Sequence, residues 1–325
     1  MPAPVRPLIP SRSVEAVGDV IEVLGLRKEY RRFRGARTVA VDGLDLVVPE
    51  GGVFGFLGPN GAGKTTTIRC LLGLVRPSAG GCRLLGADAP GGLSSVIGRV
   101  GSIVETPLLY PRFSGRRNLE LLGAIAGVGR TRVREVLERV GLAERGDDFV
   151  KTYSLGMRQR LGIGAALLKD PELLILDEPA NGLDPAGIVE VRELLRSLGR
   201  EGRTVFISSH ILSEVQQTAD RVAILSAGRA VAVGPVGEVL RAGRSEGLLV
   251  RVDDLAAGLR ALAEAGITAA AVDGLLRVEL PAARAATVTK ALADRDLYLS
   301  ELRSDEADLE TVFLELTRGT GEGTP

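Results

Sequence analysis

One octapeptide, Gly58–Thr65, restricts the possible folds of this chain more than any other feature. Its sequence, GPNGAGKT, fits the pattern G-x-x-x-x-G-K-[ST], in which glycines let backbone N–H groups turn inward around a phosphate. The apolar run Val53–Leu57 precedes it and predicts a buried strand, and Lys64–Leu74 follows it with a helical pattern. Because a helix N-terminus adds partial positive charge at the same point, the segment predicts a strand–loop–helix phosphate site.

The side chains of this loop have separate tasks in holding a chain of phosphates. We expect the Lys64 ammonium to reach the β- and γ-phosphates, the Thr65 hydroxyl to bind Mg²⁺ and the Thr66 hydroxyl to donate to the α-phosphate. A glycine-rich turn that binds no ligand is the alternative, and the flanking strand and helix disfavour it. The predicted nucleotide-contacting residues of the loop are Gly58, Pro59, Asn60, Gly61, Ala62, Gly63, Lys64, Thr65 and Thr66.

A second motif supplies two carboxylates at the end of another apolar strand. Leu173–Leu176 is wholly apolar and predicts a buried strand, and Asp177 and Glu178 follow it directly. We expect Asp177 to bind Mg²⁺ and Glu178, one residue further, to polarise an attacking water as general base. A strand that ends in Asp-Glu is a weak signal alone, but downstream of a phosphate loop it is a strong indication of phosphoryl-transfer chemistry.

Short apolar runs alternate with helical patterns over residues 21–234. Val205–Ser208 predicts a further strand, and Leu155–Leu168 and Ala186–Leu198 predict helices. Strands interleaved with helices predict an α/β architecture with a largely parallel sheet. A terminal hairpin is predicted around Ala227-Gly228, where two apolar runs flank a turn dipeptide.

A second, smaller pattern begins after Gly234-Pro235. It runs strand, helix, two hairpin strands, helix, strand, which is the β-α-β-β-α-β order of a ferredoxin-like domain. Its predicted elements are Leu248–Val252, Leu255–Ala265, Thr268–Val272, Leu275–Leu280, Ala282–Ala293 and Leu297–Leu302, closed by the amphipathic helix Leu309–Leu316. We therefore divide the chain into a flexible leader (1–18), a nucleotide-binding domain (19–240), an accessory domain (246–318) and a frayed tail (319–325).

Composition excludes several classes of protein. With 45% hydrophobic and 25% charged residues, the chain is not wholly disordered. Lys+Arg and Asp+Glu both total 41, which disfavours a dedicated nucleic-acid binder, so we expect no nucleic-acid partner. The longest uncharged run, Gly51–Gly63, is shorter than the about 20 apolar residues of a spanning helix, and residues 1–10 lack the core of a signal peptide. Cys70 and Cys82 fit no metal-ligand spacing and predict reduced, structural thiols of a cytosolic protein.

The segment before the second motif carries a resemblance to a known family. SLGMRQRL, from Ser154 to Leu161, resembles the LSGGQ signature of the ATP-binding subunits of ABC transporters. Ser154 and Gly156 are kept, whereas Leu155 stands at the first Gly and Met157 at the Gln. The resemblance implies that the Ser154 hydroxyl and the Gly156 region bind the γ-phosphate held by an opposite subunit. From the residues alone, the alternative is an ordinary helix that Ser154 caps.

Three further positions match the same family. Asp184, in Gly-Leu-Asp, resembles the D-loop that crosses the dimer interface, and His210, the sole histidine, resembles the switch histidine. A neutral imidazole there would hydrogen-bond the γ-phosphate and orient the attacking water. Tyr30 stands upstream of the phosphate loop, where the family has an aromatic residue that stacks on adenine, and Phe33 is its competitor. Both lie in the basic run Arg27–Arg37, which read alone would indicate a nucleic-acid patch.

One position departs from the wider family and indicates a subgroup. Where the family has a Gln that contacts Mg²⁺ and communicates with the permease, this chain has Glu105, followed by Thr-Pro. This exchange resembles the bacitracin- and lantibiotic-type exporters, and a carboxylate offers Mg²⁺ an oxygen as an amide does. The alternative, that Glu105 is a surface residue and the true Gln lies elsewhere, lacks a candidate, since the next Gln is Gln159. The ending Asp308–Thr317 resembles the C-terminus of drug-exporter ATPases.

The resemblance implies a fold, an activity and partners. We expect a P-loop, ABC-type α/β domain with a helical subdomain over about 105–168, followed by a small α+β ferredoxin-like domain. The implied protein is a cytoplasmic ATPase, peripheral at the inner face of the membrane, with Glu178, His210 and Lys64 as catalytic residues. It would form a homodimer or pseudo-dimer around two ATP·Mg²⁺ and drive a separate transmembrane permease that exports a peptide or drug-like compound.

Two other classes of protein are alternatives to an exporter subunit, and sequence features distinguish them from it. One is a soluble ABC ATPase that acts on ribosomes or DNA without a permease. Its ribosomal forms resemble two fused cassettes, whereas this chain has one phosphate loop. The other is a regulatory nucleotide binder that does not hydrolyse, and the presence of both Glu178 and His210 disfavours it.

Overall fold

The computed structural model describes residues 18–31, 37–105, 108–242, 247–305 and 309–318. The chain divides into two compact units, Met1–Val236 and Gly237–Pro325. The predicted tail and all but Gly18 of the predicted leader lie outside the described residues, as does Phe33.

The first unit contains three kinds of element: strands of a mainly parallel sheet, strands of an antiparallel sheet, and helices. The strands are β1 (Asp19–Arg31), β2 (Arg37–Pro49), β3 (Gly52–Leu57), β4 (Ala79–Leu84), β5 (Ala87–Ala89), β6 (Val100–Ile103), β7 (Leu173–Asp177), β8 (Thr204–Ser209), β9 (Arg221–Ser226) and β10 (Arg229–Pro235). The helices are α1 (Lys64–Leu71), α2 (Gly115–Ala126), α3 (Arg130–Arg139), α4 (Leu155–Leu167), α5 (Pro185–Arg200) and α6 (Leu212–Thr218), and α7 (Val236–Ala242) begins at the last residue of the unit.

The centre of the first unit is a six-stranded sheet in the order β10-β9-β3-β8-β7-β6. Strands β9, β3, β8, β7 and β6 are parallel, and β10 pairs with β9 in antiparallel fashion. Every residue of β7 and β8 is buried, as continuous apolar runs predict for strands covered on both faces. The α/β fold with a largely parallel sheet and a terminal hairpin is therefore confirmed.

A second sheet of the first unit is antiparallel, in the order β2-β1-β4-β5. In β2 the apolar residues Leu44, Leu46 and Val48 alternate with exposed positions, so the strand turns one face to the core. This face and the parallel sheet contribute side chains to a common hydrophobic core. At its centre the Phe206 ring lies 5.2 Å from that of Phe56, measured between centroids.

Helices α2, α3 and α4 pack on one another within the region predicted to be a helical subdomain. Ser114 caps α2 by accepting a hydrogen bond from the Arg117 N–H at 3.1 Å, and Gly127 ends it with a φ of +72°. The three helices follow β6 and precede β7, so they are inserted between two neighbouring strands of the parallel sheet.

Helix α1 is three residues shorter than the sequence pattern predicted, because it ends at Leu71 and not at Leu74. Gly73 takes a left-handed φ of +69°, and the Leu74 N–H donates back to the Arg69 carbonyl oxygen at 2.9 Å. A Cβ at Gly73 would lie 2.7 Å from Leu93 Cδ1, so the turn that ends the helix requires a glycine.

The second unit has the predicted ferredoxin-like order. Its elements are β11 (Leu248–Val252), α8 (Leu255–Glu264), β12 (Ala269–Val272), β13 (Leu275–Val278), α9 (Ala285–Ala293), β14 (Leu299–Ser304) and α10 (Leu309–Arg318). The sheet is antiparallel in the order β12-β13-β11-β14. Alternating residues such as Leu248, Val250 and Val278 are buried in a core of their own with α8 and α9. The last strand begins two residues later than predicted, and Ala282–Arg284 is a 3₁₀ turn that precedes α9.

The two cysteines are free thiols in the interior of the first unit. Cys70 lies on α1 and Cys82 on β4, and burial raises the pKa of both thiols, that of Cys82 to about 11. A thiol with a raised pKa stays protonated near neutral pH and is a poor nucleophile, so packing is the role that fits both residues.

Within the described residues, no helix has the length and apolar character that crossing a bilayer requires.

Candidate active site

The phosphate loop connects the carboxyl end of β3 to the amino end of α1. Gly63, the residue that caps α1, has a φ of +104°, and a Cβ there would lie 2.4 Å from the Ala40 carbonyl oxygen, so only glycine fits. Lys64 follows as the first residue of α1 and is only 6% exposed. Its Nζ donates to the Gly58 carbonyl oxygen at 2.7 Å and to that of Pro59 at 3.4 Å, so the ammonium lies over the loop.

Asp177 ends β7 and connects it with two neighbouring elements. Its Oδ2 accepts a hydrogen bond of 2.7 Å from the hydroxyl of Thr65, the second residue of α1. Its Oδ1 accepts a hydrogen bond from the hydroxyl of Ser208 on β8. Both carboxylate oxygens are thus held in defined directions, with the Asp177 side chain buried.

Glu178 leaves the sheet with an unusual backbone conformation. Its φ is +51°, a left-handed value that a residue with a Cβ rarely adopts, and its N–H donates to the Ser208 hydroxyl oxygen at 3.0 Å. Its Oε1 lies 3.3 Å from the Lys64 Nζ, and its Oε2 lies 2.8 Å from the Nδ1 of His210. The predicted base, the predicted switch histidine and the phosphate-loop lysine therefore form one connected cluster.

The order of the strands explains why these residues meet. Strands β3, β8 and β7 are adjacent and parallel, so their carboxyl ends lie at the same edge of the sheet. The register pairs Leu57 with Ser209 and Asp177 with Ser208 across that edge. Ligand sites of open parallel sheets form at the carboxyl ends of strands, and this is where the phosphate loop, Glu178 and His210 all begin.

Glu105 follows β6 at the same sheet edge but has a different partner. Its carboxylate forms an ion pair with the guanidinium of Arg69, in the last turn of α1. The Glu105 side chain is 66% exposed, and its φ is +72°. No hydrogen bond or ion pair in the described part of the chain joins Glu105 to Asp177 or Thr65. An exposed ion pair contributes about 0–1 kcal/mol, so the carboxylate is not strongly held away from other partners.

Ser154 and Gly156 lie at the amino end of α4. The Ser154 hydroxyl oxygen accepts a hydrogen bond from the Met157 N–H at 3.1 Å, so the helix cap considered from the sequence is present. A Cβ at Gly156 would make only an ordinary contact, 3.7 Å from the Gly187 Cα. Packing of the described residues therefore does not explain why a glycine stands at position 156.

Asp184 caps α5, the next helix along the chain. Its Oδ1 accepts a hydrogen bond from the Gly187 N–H at 3.3 Å. Gly182, two residues earlier, has a φ of +74°, and a Cβ there would lie 3.3 Å from Leu155 Cδ2. The leucine that replaces the family's signature glycine thus lies against the predicted D-loop of its own chain.

Tyr30 lies near the end of β1, opposite Thr38 of β2. Its ring is 37% exposed, and the Lys28 Nζ lies 5.1 Å from the ring centroid. In the same basic run Arg27 pairs with Asp42 and Glu29, so part of the positive charge that would indicate a nucleic-acid patch is compensated.

Two residues beside the cluster were not singled out from the sequence. Ser208 is fully buried and contacts both Asp177 and Glu178. The signal that could have identified it is a hydroxyl residue that directly follows the apolar run Val205–Ile207, two residues before His210. The second is Glu214 on α6, whose pKa is raised by burial, with the charges of His210 and Glu178 acting in opposite directions.

Comparison with known proteins identifies the family of this chain. The ABC transporter family pattern matches residues 41–181. The bacitracin transport ATP-binding protein BcrA of Enterococcus faecalis is 38% identical over 305 residues, which cover 93% of this chain and 97% of that protein. The daunorubicin/doxorubicin resistance ATP-binding protein DrrA of Streptomyces peucetius is 38% identical over 310 residues, covering 91% and 92%.

A solved structure has the same fold in its nucleotide-binding part. CbiO1 of Clostridium perfringens, part of the ABC transporter complex CbiONQ, superposes with a TM-score of 0.60 at 29% identity, covering 68% of this chain and 90% of that chain. Because relatives above 30% identity match over nearly their whole length, the chain belongs to the ATP-binding proteins of the ABC transporter family. It is a nucleotide-binding ATPase subunit of a transporter.

Proposed function

We propose that this chain hydrolyses ATP with Glu178 as general base and thereby drives a separate membrane permease that exports a peptide or drug-like compound. The observation that carries the proposal is the connected cluster of Lys64, Glu178 and His210 beside the Thr65–Asp177 hydrogen bond. The bacitracin and daunorubicin functions in the names of two relatives support the class of compound.

The phosphates of ATP would bind over the loop 58–66, with Lys64 as their main cation. The Lys64 ammonium now interacts with the Gly58 carbonyl oxygen and with Glu178 Oε1, and the phosphate oxygens of ATP would offer it further charge-assisted hydrogen bonds. Tyr30 offers an exposed ring on which adenine would stack, and the neighbouring Lys28 adds positive charge there.

The residues at the loop fit a bound Mg²⁺. The Thr65 hydroxyl and an Asp177 carboxylate oxygen lie 2.7 Å apart, and Mg²⁺ in nucleotide sites uses one or two protein oxygens together with phosphates and waters. Bound Mg²⁺ would neutralise charge on the phosphates. Glu105 would join these ligands only by leaving Arg69.

The proton chemistry follows from the two oxygens of Glu178. When Lys64 turns to a phosphate, Oε1 loses the cation at 3.3 Å and is free to accept a proton from the attacking water. An ionised carboxylate can only accept hydrogen bonds, so the Nδ1 of His210 would carry the hydrogen and donate it to Oε2 at 2.8 Å, which would fix the tautomer. A neutral ring so oriented has only an acceptor at Nε2, so it would hold the water, and only a protonated ring would donate to a phosphate oxygen.

The site would be completed by a second copy in head-to-tail orientation. Ser154, Leu155 and Asp184 are exposed at the amino ends of α4 and α5, where backbone N–H groups and helix dipoles favour an anion. Gly156, which no contact within its own chain explains, would let the partner's γ-phosphate approach the backbone closely.

The permease would dock on exposed apolar side chains between β6 and α4. Leu108 is 98% exposed, and the Tyr110 and Phe113 rings, 5.4 Å apart, and Phe149 are also at the surface. Such a patch next to the Glu105 segment is typical of a protein interface. This docking would hold the chain at the cytoplasmic face of the membrane.

The proposal is tested by co-expressing this chain with a candidate permease, a membrane protein with several spanning helices. We expect the chain to sediment with membranes only when that protein is present, and inverted vesicles to accumulate bacitracin or daunorubicin in an ATP-dependent way. Lys64→Ala is the matched control, which should still sediment with the membranes but fail to transport. A chain that stays in the supernatant in both cases contradicts the exporter proposal.

A further inference from the structure

The hydroxyl of Ser208 connects the two acidic residues of the site. It donates to the Oδ1 of Asp177 and accepts a hydrogen bond from the Glu178 N–H at 3.0 Å. Its side chain is completely buried on β8, two residues before His210. One hydroxyl thus contacts the side chain of the first carboxylate and the backbone of the second.

The same strand contains a second buried hydroxyl that provides a comparison. Thr204, at the amino end of β8, accepts a hydrogen bond from the Gly51 N–H at 2.7 Å and is 1% exposed. Both hydroxyls have protein partners, as buried polar groups require. The partner of Thr204 is a loop amide at the other end of the strand, whereas both partners of Ser208 are residues of the site.

The hydrogen bond from Ser208 is important because the other oxygen of Asp177 has a donor that a bound metal would take away. Oδ2 accepts from the Thr65 hydroxyl, a group that would itself turn to a bound metal. Ser208 would then be the remaining described donor that orients the carboxylate. Groups that hydrogen-bond a metal ligand set its orientation, and their loss lowers metal affinity by about 10–100-fold.

Ser208 also supports the backbone of Glu178. The left-handed φ of +51° is costly for a residue with a Cβ and persists only where neighbouring groups hold it. The bond from the Glu178 N–H to the Ser208 hydroxyl is such a support, and it satisfies a backbone donor at the carboxyl end of β7.

We propose that Ser208 is a positioning residue, whose hydroxyl orients the Asp177 carboxylate toward the metal of the nucleotide complex and holds the Glu178 backbone in place. This inference rests on the proposed function, in which Asp177 binds the metal. It assigns no contact between Ser208 and the substrate. Its signature is a loss of metal affinity without a loss of metal-free nucleotide binding.

The test measures Mn²⁺ binding by electron paramagnetic resonance on the full chain saturated with a non-hydrolysable ATP analogue, so that no turnover is involved. We expect Ser208→Ala to weaken Mn²⁺ binding by about 10-fold or more. Ser208→Cys keeps the shape of the side chain but replaces the hydroxyl with a larger thiol that is only a weak hydrogen-bond donor, so it should act in the same direction and serves if the alanine variant fails to fold. Ser208→Thr, which retains the hydroxyl and has a small cavity of about 30 Å³ beside it, should bind Mn²⁺ as the unsubstituted chain does.

Two controls separate positioning from stability. Thr204→Val removes a buried hydroxyl of β8 that does not contact the site, and it should lower the melting temperature without changing Mn²⁺ affinity. Analogue binding in EDTA should be equal in all variants. If the unsubstituted chain binds Mn²⁺ normally and Ser208→Ala or Ser208→Cys binds it equally well, the proposed role of Ser208 is refuted. That result would leave the proposed function of the chain untouched. If the unsubstituted chain itself binds no nucleotide-dependent Mn²⁺, the proposed function fails as well.

Discussion

Replacement of Glu178 by glutamine tests the proposed base with the smallest change of shape. Each oxygen of the carboxylate has its own partner: Lys64 lies 3.3 Å from Oε1, and His210 Nδ1 lies 2.8 Å from Oε2. An amide presents one acceptor and one donor. Its oxygen would face the Lys64 ammonium, and its NH₂ group would face His210, which must then carry its proton on Nε2. The pocket is kept, but the proton acceptor is lost and the histidine tautomer is reversed.

The expected loss of turnover follows from the missing proton acceptor. General base catalysis contributes roughly 10²–10⁴-fold, so we expect kcat of Glu178→Gln to fall by that factor. This corresponds to about 2.7–5.4 kcal/mol of activation free energy at 1.36 kcal/mol per tenfold change. ATP binding should persist, because the loop and the Thr65–Asp177 pair are untouched. Steady-state phosphate release and light scattering with ATP would measure the rate and the trapped dimer.

Glu214→Gln is the matched control for this experiment. Glu214 lies near the cluster, and burial already raises the pKa of its carboxyl, but it has no part in the proposed proton transfer. Its glutamine variant should keep kcat close to that of the unsubstituted chain. If Glu178→Gln hydrolyses ATP at the normal rate, Glu178 is not the base, and the interpretation of the cluster fails.

Three further predictions concern other parts of the molecule. Glu105→Gln should retain most of the ATPase activity, and Glu105→Ala should retain less. Arg69→Met should alter the ATPase rate of the unsubstituted chain. The same substitution should not alter the rate of Glu105→Gln, because that variant has already lost the Glu105–Arg69 ion pair. Asp170→Asn should lower the free energy of unfolding by about 0.5 kcal/mol at pH 7 in denaturant titrations. Because Arg203 lowers the pKa of Asp170 in the folded chain, this difference should disappear as the pH falls through that pKa, and a constant difference would contradict it. Gly156→Ala should leave the melting temperature unchanged or slightly higher but reduce the ATP-dependent dimer of Glu178→Gln; a lower melting temperature would show that the glycine serves its own chain.

The parts of the candidate site whose place in the fold can be predicted from the sequence depend on local chain geometry. A glycine pattern between an apolar strand and a helix specifies the loop around Lys64 whatever surrounds it, and a buried strand that ends in Asp-Glu specifies where Asp177 emerges. The meeting of these segments with His210 was inferred from resemblance to a family. The structure provides the physical reason, since β3, β7 and β8 are neighbours whose carboxyl ends coincide.

Other features could not be predicted, because they depend on partners distant in sequence. The ion pair of Glu105 with Arg69 joins the end of β6 to the last turn of α1, and no periodicity in either segment indicates it. The antiparallel sheet is a second such feature. The alternation of Leu44, Leu46 and Val48 indicates a strand, but the pairing of β1 with β2 and β4 depends on residues distant in sequence. Helix α1 ends before Leu74 because Gly73 takes a left-handed φ, and the side chain of Leu93 leaves no room for a Cβ there.

The fold of a single chain explains some residues around the signature segment but not all of them. Physical chemistry accounts for Ser154, which caps α4, and for Gly182, whose backbone is left-handed. It does not account for Gly156, because a methyl group there would fit among the neighbouring residues of the same chain. Contact with a second molecule is the most direct explanation for a glycine that the fold of its own chain does not require. For this reason the role of Gly156 was indicated by the resemblance to a family and not by packing within the chain. Ser208 is the opposite case: its two hydrogen bonds lie within one chain, so the structure reveals what no sequence motif contains.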